Sequence, residues 1–162
     1  MRVAAWIVGG VLIVFVIWLG VFPPSHRRIP TNHMRAVHSM NQIGAAEKAF
    51  AARNPALGFT CDLADLFNVL PETQGGVGAI DRVLSKGEKA GYRFAISDCR
   101  QNRSNRTVGY KLAALPLNRD VGTFAFCSDE IGVLFYSETG SLEGCFEHRT
   151  TWTKGDVLDR QR

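Results

Sequence analysis

Residues 91–137 read GYRFAISDCRQNRSNRTVGYKLAALPLNRDVGTFAFCSDEIGVLFYS. Tyr92, Phe94 and Ile96 alternate with Arg93, Ala95 and Ser97, the period of two that a strand with one buried face requires. Val108 to Leu115, Thr123 to Cys127 and Val133 to Ser137 have strand composition as well. The connections between them are rich in Asn, Arg, Asp and Gly, which suits hairpin turns. Four such strands predict an antiparallel meander.

Before Gly91 the period changes. Val37, Met40, Ile43, Ala46 with Glu47, and Phe50 recur at spacings of three and four, the stripe of an amphipathic helix. Thr31 or Asn32 can cap its start, and Arg53-Asn54-Pro55 ends it. Shorter helices are expected over residues 62–69, using Leu63, Leu66, Phe67 and Leu70, and over 80–89, using Ile80, Val83 and Leu84. The fold class is therefore α+β: an N-terminal transmembrane helix, then an amphipathic helix packed on a four-stranded antiparallel meander with short extra helices.

The transmembrane helix rests on residues 3–22, a stretch without a charged side chain. At 1.5 Å per residue, twenty residues span about 30 Å, the thickness of a bilayer's hydrocarbon core. Val3 and Phe22 bound this anchor, Trp6 and Trp18 lie toward its interfaces, and Pro23-Pro24 stops it. A cleaved signal peptide would need a shorter apolar run and a small-x-small site, which Trp18-Leu19-Gly20-Val21-Phe22 does not offer. The expected organisation is an anchor over 1–24, a stiff linker over 25–31, a domain over 32–149 and a polar, frayed tail over 150–162. Of the 162 residues, about 135 remain beyond the anchor, enough for one ordinary domain.

The net charge of +4 is spread over Arg27, Arg28, Arg35, Arg100, Arg103, Arg106 and Arg160 without interleaved aromatic platforms, so no nucleic-acid partner is indicated. His26, Arg27, Arg28 and Arg35 follow the span, and the positive-inside rule alone would keep the domain in the cytoplasm. The cysteines argue for the outer face. Cys61, Cys99, Cys127 and Cys145 are widely spaced and form no C-x-x-C pair, which suits disulfides in an oxidising compartment better than zinc or redox chemistry. Three pairings are open, and Cys61–Cys99 with Cys127–Cys145 is expected because each closes one local unit.

The helix Ala36-Val37-His38-Ser39-Met40-Asn41-Gln42-Ile43-Gly44-Ala45-Ala46-Glu47, then Gly91-Tyr92-Arg93-Phe94, then Phe126-Cys127-Ser128-Asp129-Glu130-Ile131-Gly132-Val133-Leu134-Phe135-Tyr136, all behind a hydrophobic N-terminal segment, resembles the pilin-like proteins of bacteria, type IV pilins and type II secretion pseudopilins among them. The resemblance implies a helix laid across an antiparallel sheet, residence in the inner membrane with the C-terminal domain periplasmic, and envelope or secretion-apparatus proteins as partners. Assembling pilins carry a leader, a Gly cleaved by prepilin peptidase, a following Phe or Met and a Glu five residues on. Here Gly9-Gly10 leads into Val11-Leu12-Ile13-Val14-Phe15, and the span holds no acid. The expectation is an anchored relative that is neither cleaved nor polymerised.

Catalytic and metal-ligating patterns are sparse. His33 and His38 fall on different helix faces, and His26 and His148 lack acidic neighbours at ligand spacing, so the histidines are read as solvated. Asp129, Glu130 and Glu138 could crowd a cation at a hairpin, Ser39 and Ser128 lack a base nearby in sequence, and Gly75-Gly76-Val77-Gly78 lacks the Lys-Ser/Thr of a phosphate loop. Asn102-Arg103-Ser104 and Asn105-Arg106-Thr107 match glycosylation sequons and are read as a polar loop. No cofactor, metal, catalytic residue or small-molecule substrate is expected. A structural or interaction protein is the leading reading. A ligand-binding or enzymatic ectodomain with a pocket near Asn118-Arg119-Asp120 is the alternative, and it requires a deep polar cavity holding perturbed titratable groups.

Overall fold

Rows of side chains across the sheet determine how the layers stack. The computed structural model describes residues 28–67 and 80–152. Its strands are β1 (Glu88–Lys89), β2 (Tyr92–Gln101), β3 (Thr107–Pro116), β4 (Ala125–Asp129), β5 (Phe135–Ser137) and β6 (Thr150–Thr151), each antiparallel to the next in that order. Phe94, Ala114, Phe126 and Tyr136 stand opposite one another along one row, so all four project from the same face. Helix α1 (Arg28–Arg53) covers that face with Ala36, Val37, Met40, Ile43 and Ala46, all buried. Burying a side chain such as that of Phe126 contributes roughly 1.5–3 kcal/mol. The intervening row, Ala95, Ala113, Cys127 and Phe135, points the other way. There helix α3 (Leu142–His148) is joined to the sheet by Cys127–Cys145.

The fold is α+β with an antiparallel meander, and the four expected strands are present with two short ones added at the edges. Several expectations need correction. Helix α1 already includes Arg28 at the edge of the described residues, so Thr31 and Asn32 lie inside it rather than capping it. Asn32 is used elsewhere, its Nδ2 donating to Val121 O at 3.1 Å.

Helix α2 covers Leu63–Phe67, and residues 68–70 of the expected helix lie outside the described residues; Asp62 Oδ1 accepts from Ala64 N, and Leu63 and Leu66 are buried. The helix expected over 80–89 is instead one 3-10 turn, Leu84–Lys86, followed by β1. Asp81 Oδ1 accepts from both Val83 N and Leu84 N, and Gly87 N bonds to Leu84 O, which closes the turn before a second can form. Only Ile80 and Leu84 reach the core, while Val83 stays exposed.

Helix α3 was not expected. Ser141 caps it, its Oγ accepting from Gly144 N at 3.1 Å. The tail is not frayed at its start, since Trp152 N donates to Leu134 O and the indole meets Phe126 and Tyr136 edge-on. The anchor residues Val3, Trp6, Trp18 and Phe22 lie outside the described residues. Among the described residues no helix is long and apolar enough to cross a membrane.

Candidate functional site

Among the described residues two regions concentrate titratable groups, and both adjoin Tyr110. The first is the seam between α1 and the segment leading into α2. Glu47 is fully buried on α1, and its Oε2 accepts from Thr60 N at 3.0 Å while Oε1 has no hydrogen-bond partner. Thr60 Oγ1 donates to Asp65 Oδ2 at 2.7 Å and accepts from Asp62 N. Burial, opposed by the Thr60 amide and reinforced by the Asp65 charge, pushes the Glu47 carboxyl up to about 7. Tyr110, packed edge-on against Phe59, is also raised, first by burial and then by the charges of Glu47, Glu130 and Asp129.

The second is a cleft of about 510 Å³ where β2 bulges. Asp98 has φ 49°, and the β2–β3 register shifts between Ser97 and Arg100. Asp98, Arg100, Tyr110, Lys111, Glu130 and Phe146 are among its lining residues. Lys111 Nζ meets Asp98 Oδ2 at 2.6 Å and lies over the Phe146 ring, while Arg100 Nη2 crosses Gly109 to reach Glu130 Oε1 at 2.5 Å. The walls are therefore cross-braced by ion pairs. Glu130 Oε2 is buried without a partner.

Residues singled out in the sequence are dispersed by the fold. Asp129 and Glu130 end β4, whereas Glu138 follows β5 at the opposite end of that ladder, since Ala125 pairs Ser137. Asp129 Oδ1 accepts from Ile131 N as a turn residue. No group of three or more His, Cys, Asp or Glu among the described residues is placed to hold a metal. His33 is buried and stacked on Phe124 with ring centroids 4.7 Å apart, and burial lowers its pKa, so the reading of all histidines as solvated fails at this one. His38 lies on an exposed side of α1. Ser39 is buried, and Ser128 Oγ donates to the Asp129 carbonyl. Asn102 Oδ1 accepts from Ser104 N and Arg106 N, so the first sequon holds a hairpin turn together.

The helix meets the loop that follows Asn118-Arg119-Asp120 directly at Gly122. A Cβ on Gly122 would meet the Tyr92 hydroxyl at 2.3 Å and His33 Nε2 at 2.9 Å, so helix and loop touch directly there. Asn118 Oδ1 accepts from Val121 N within the loop itself.

The four cysteines pair as Cys61–Cys99 and Cys127–Cys145, the expected connectivity. Comparison with protein-family models, with curated proteins and with solved structures finds no match to this chain. Its function is argued from its own residues.

Sequence reading missed the Glu47 seam and the bulge cleft. A signal for the first was present, since Glu47 occupies a core position of the apolar stripe. The bulge at Asp98 left no local signature.

Proposed function

We propose that this chain is a membrane-anchored, pilin-like interaction protein of the bacterial envelope, non-enzymatic and not polymerising, with residues 3–22 in the bilayer and the disulfide-bonded domain on the periplasmic side. One observation carries the reading: four of the exposed aliphatic side chains among the described residues, Leu57, Val108, Ile131 and Val133, belong to the end of the domain remote from the start of α1. Helix α1 begins beside Phe124 and Gly122 and ends near Asn54. Leu57 O then accepts from Thr107 N at the start of β3, and Asp129, which precedes Ile131 and Val133, pairs Lys111 near that same end. Leu57 is 58% exposed and Ile131 71%, with Val108 and Val133 also exposed. An anchored domain presenting apolar tips away from the lipid is suited to docking on another protein.

The edge strands β1 and β6 have two residues each, which disfavours end-on sheet growth between copies. The alternative of a ligand-binding ectodomain draws on the bulge cleft and the unpartnered Glu130 oxygen. Its ion-paired walls favour a structural role for those charges.

The test combines topology with contact. Intact mass after alkylation without reductant should show four hydrogens lost, an alkaline-phosphatase fusion after Arg162 should be active, and a photocrosslinker at Ile131 should give a heterologous adduct that one at exposed Glu88 does not. Free thiols with a dead fusion, or equal labelling from both positions, would overturn the reading.

A further inference from the structure

Along one side of α1, Thr31, Met34, Arg35 and His38 recur at helical spacing and form one wall of a shallow groove of about 510 Å³. Lys89 and Ala90, at the turn between β1 and β2, form the other wall. The core-facing stripe of the helix is already packed on the sheet, so this is a second, separate face.

Three properties define what the groove can accept. Its surface is mostly apolar, with Met34 36% exposed. The lining includes Arg35 and Lys89 but no Asp or Glu, and Asp81 is the counter-ion of Lys89 at 2.5 Å. Its position follows from the chain: Arg28, the first described residue of α1, stands six residues after Phe22. Six extended residues reach at most about 20 Å, so the first turns of α1 stay close to the lipid headgroups if the segment before them is anchored.

We infer that this groove seats the headgroup of an anionic phospholipid, its phosphate between Arg35 and Lys89 and its glycerol and first methylenes against Met34 and Ala90. The inference rests on the anchored reading proposed above. It orients the domain on the membrane and gives Arg35, one of the basic residues after the span, a role other than setting topology.

The test uses the full chain in phosphatidylcholine nanodiscs with and without phosphatidylglycerol, followed by the methyl resonances of Met34 and of buried Met40. Phosphatidylglycerol should shift Met34 and leave Met40 in place. Arg35→Glu, a change of two charge units, should weaken this response roughly thirtyfold, and Arg35→Lys should largely retain it. A silent Met34 in incorporated protein, or an undiminished response in Arg35→Glu, overturns the groove alone. A Met34 shift driven equally by inorganic phosphate in phosphatidylcholine discs overturns the lipid as the source. Failure of the chain to co-elute with the discs removes the anchor and this inference with it.

Discussion

Glu47 faces Asp65 from α2 and Tyr110 from β3, and it carries one carboxylate oxygen with nothing to bond. A folded-state value of about 7 against 4.5 for the free side chain means that the native state holds this proton more tightly than the unfolded chain. The resulting stability is complete below about pH 4.5 and is lost as pH rises through 7. Glu47→Gln keeps an oxygen for Thr60 N and removes the titration. Chemical denaturation should show wild type losing roughly 2–3 kcal/mol more than the variant between pH 5 and pH 8. A parallel pH dependence in the two proteins would refute this account. Trp152 belongs to the same level of detail. Its indole closes the aromatic group of Phe124, Phe126 and Tyr136, so Trp152→Ala should cost about 2–4 kcal/mol by denaturant titration. The sequence hid this because one Trp in a polar stretch has no periodicity, whereas Phe94, Phe126 and Tyr136 were readable from their alternation.

Helices and strands were legible to the extent that they bury a periodic face. Helix α1 and strands β2 to β5 do so, and they were found with boundaries shifted by a few residues. The 3-10 turn at Leu84–Lys86 and helix α3 are held by single side-chain caps, at Asp81 and Ser141, and by one disulfide, so hydrophobic spacing misread the first and missed the second. Loop-closure entropy assigns the 18-residue Cys127–Cys145 separation about 3 kcal/mol and the 38-residue Cys61–Cys99 separation about 4 kcal/mol. Replacing Cys127 and Cys145 together by Ala should lower stability by about 3 kcal/mol and open the 138–149 segment to protease while β2 and β3 stay protected. Equal protection throughout would show that α3 holds its place without the covalent bond. Beside the other disulfide, Gly58 bridges Thr107 with φ 80°, and an added Cβ would sit 2.0 Å from Thr107 O. Gly58→Ala should therefore cost about 2 kcal/mol or more by denaturant titration, and a neutral result would mean that the bridge is dispensable.

As a body, the domain has two unlike ends: a basic groove where the chain enters and aliphatic tips where α1 finishes. Ile131→Ser should leave the denaturation midpoint unchanged, because the side chain is solvated, and should abolish the crosslinked adduct expected from that neighbourhood when the probe is moved to Val133. A lowered midpoint would place Ile131 in the fold rather than in an interface. The sequence could not reveal this polarity, because Leu57, Val108 and Ile131 come from three separate segments that only the register of β3 brings to one end. The serial order of the strands carries a further consequence. Every strand pairs with the one just before or after it, so the sheet has a low contact order, and its hairpins can zip one after another. Cys127 and Cys145 are then neighbours before the long helix has docked. Oxidation of this pair should need no reshuffling, and refolding from the reduced state should form Cys127–Cys145 early.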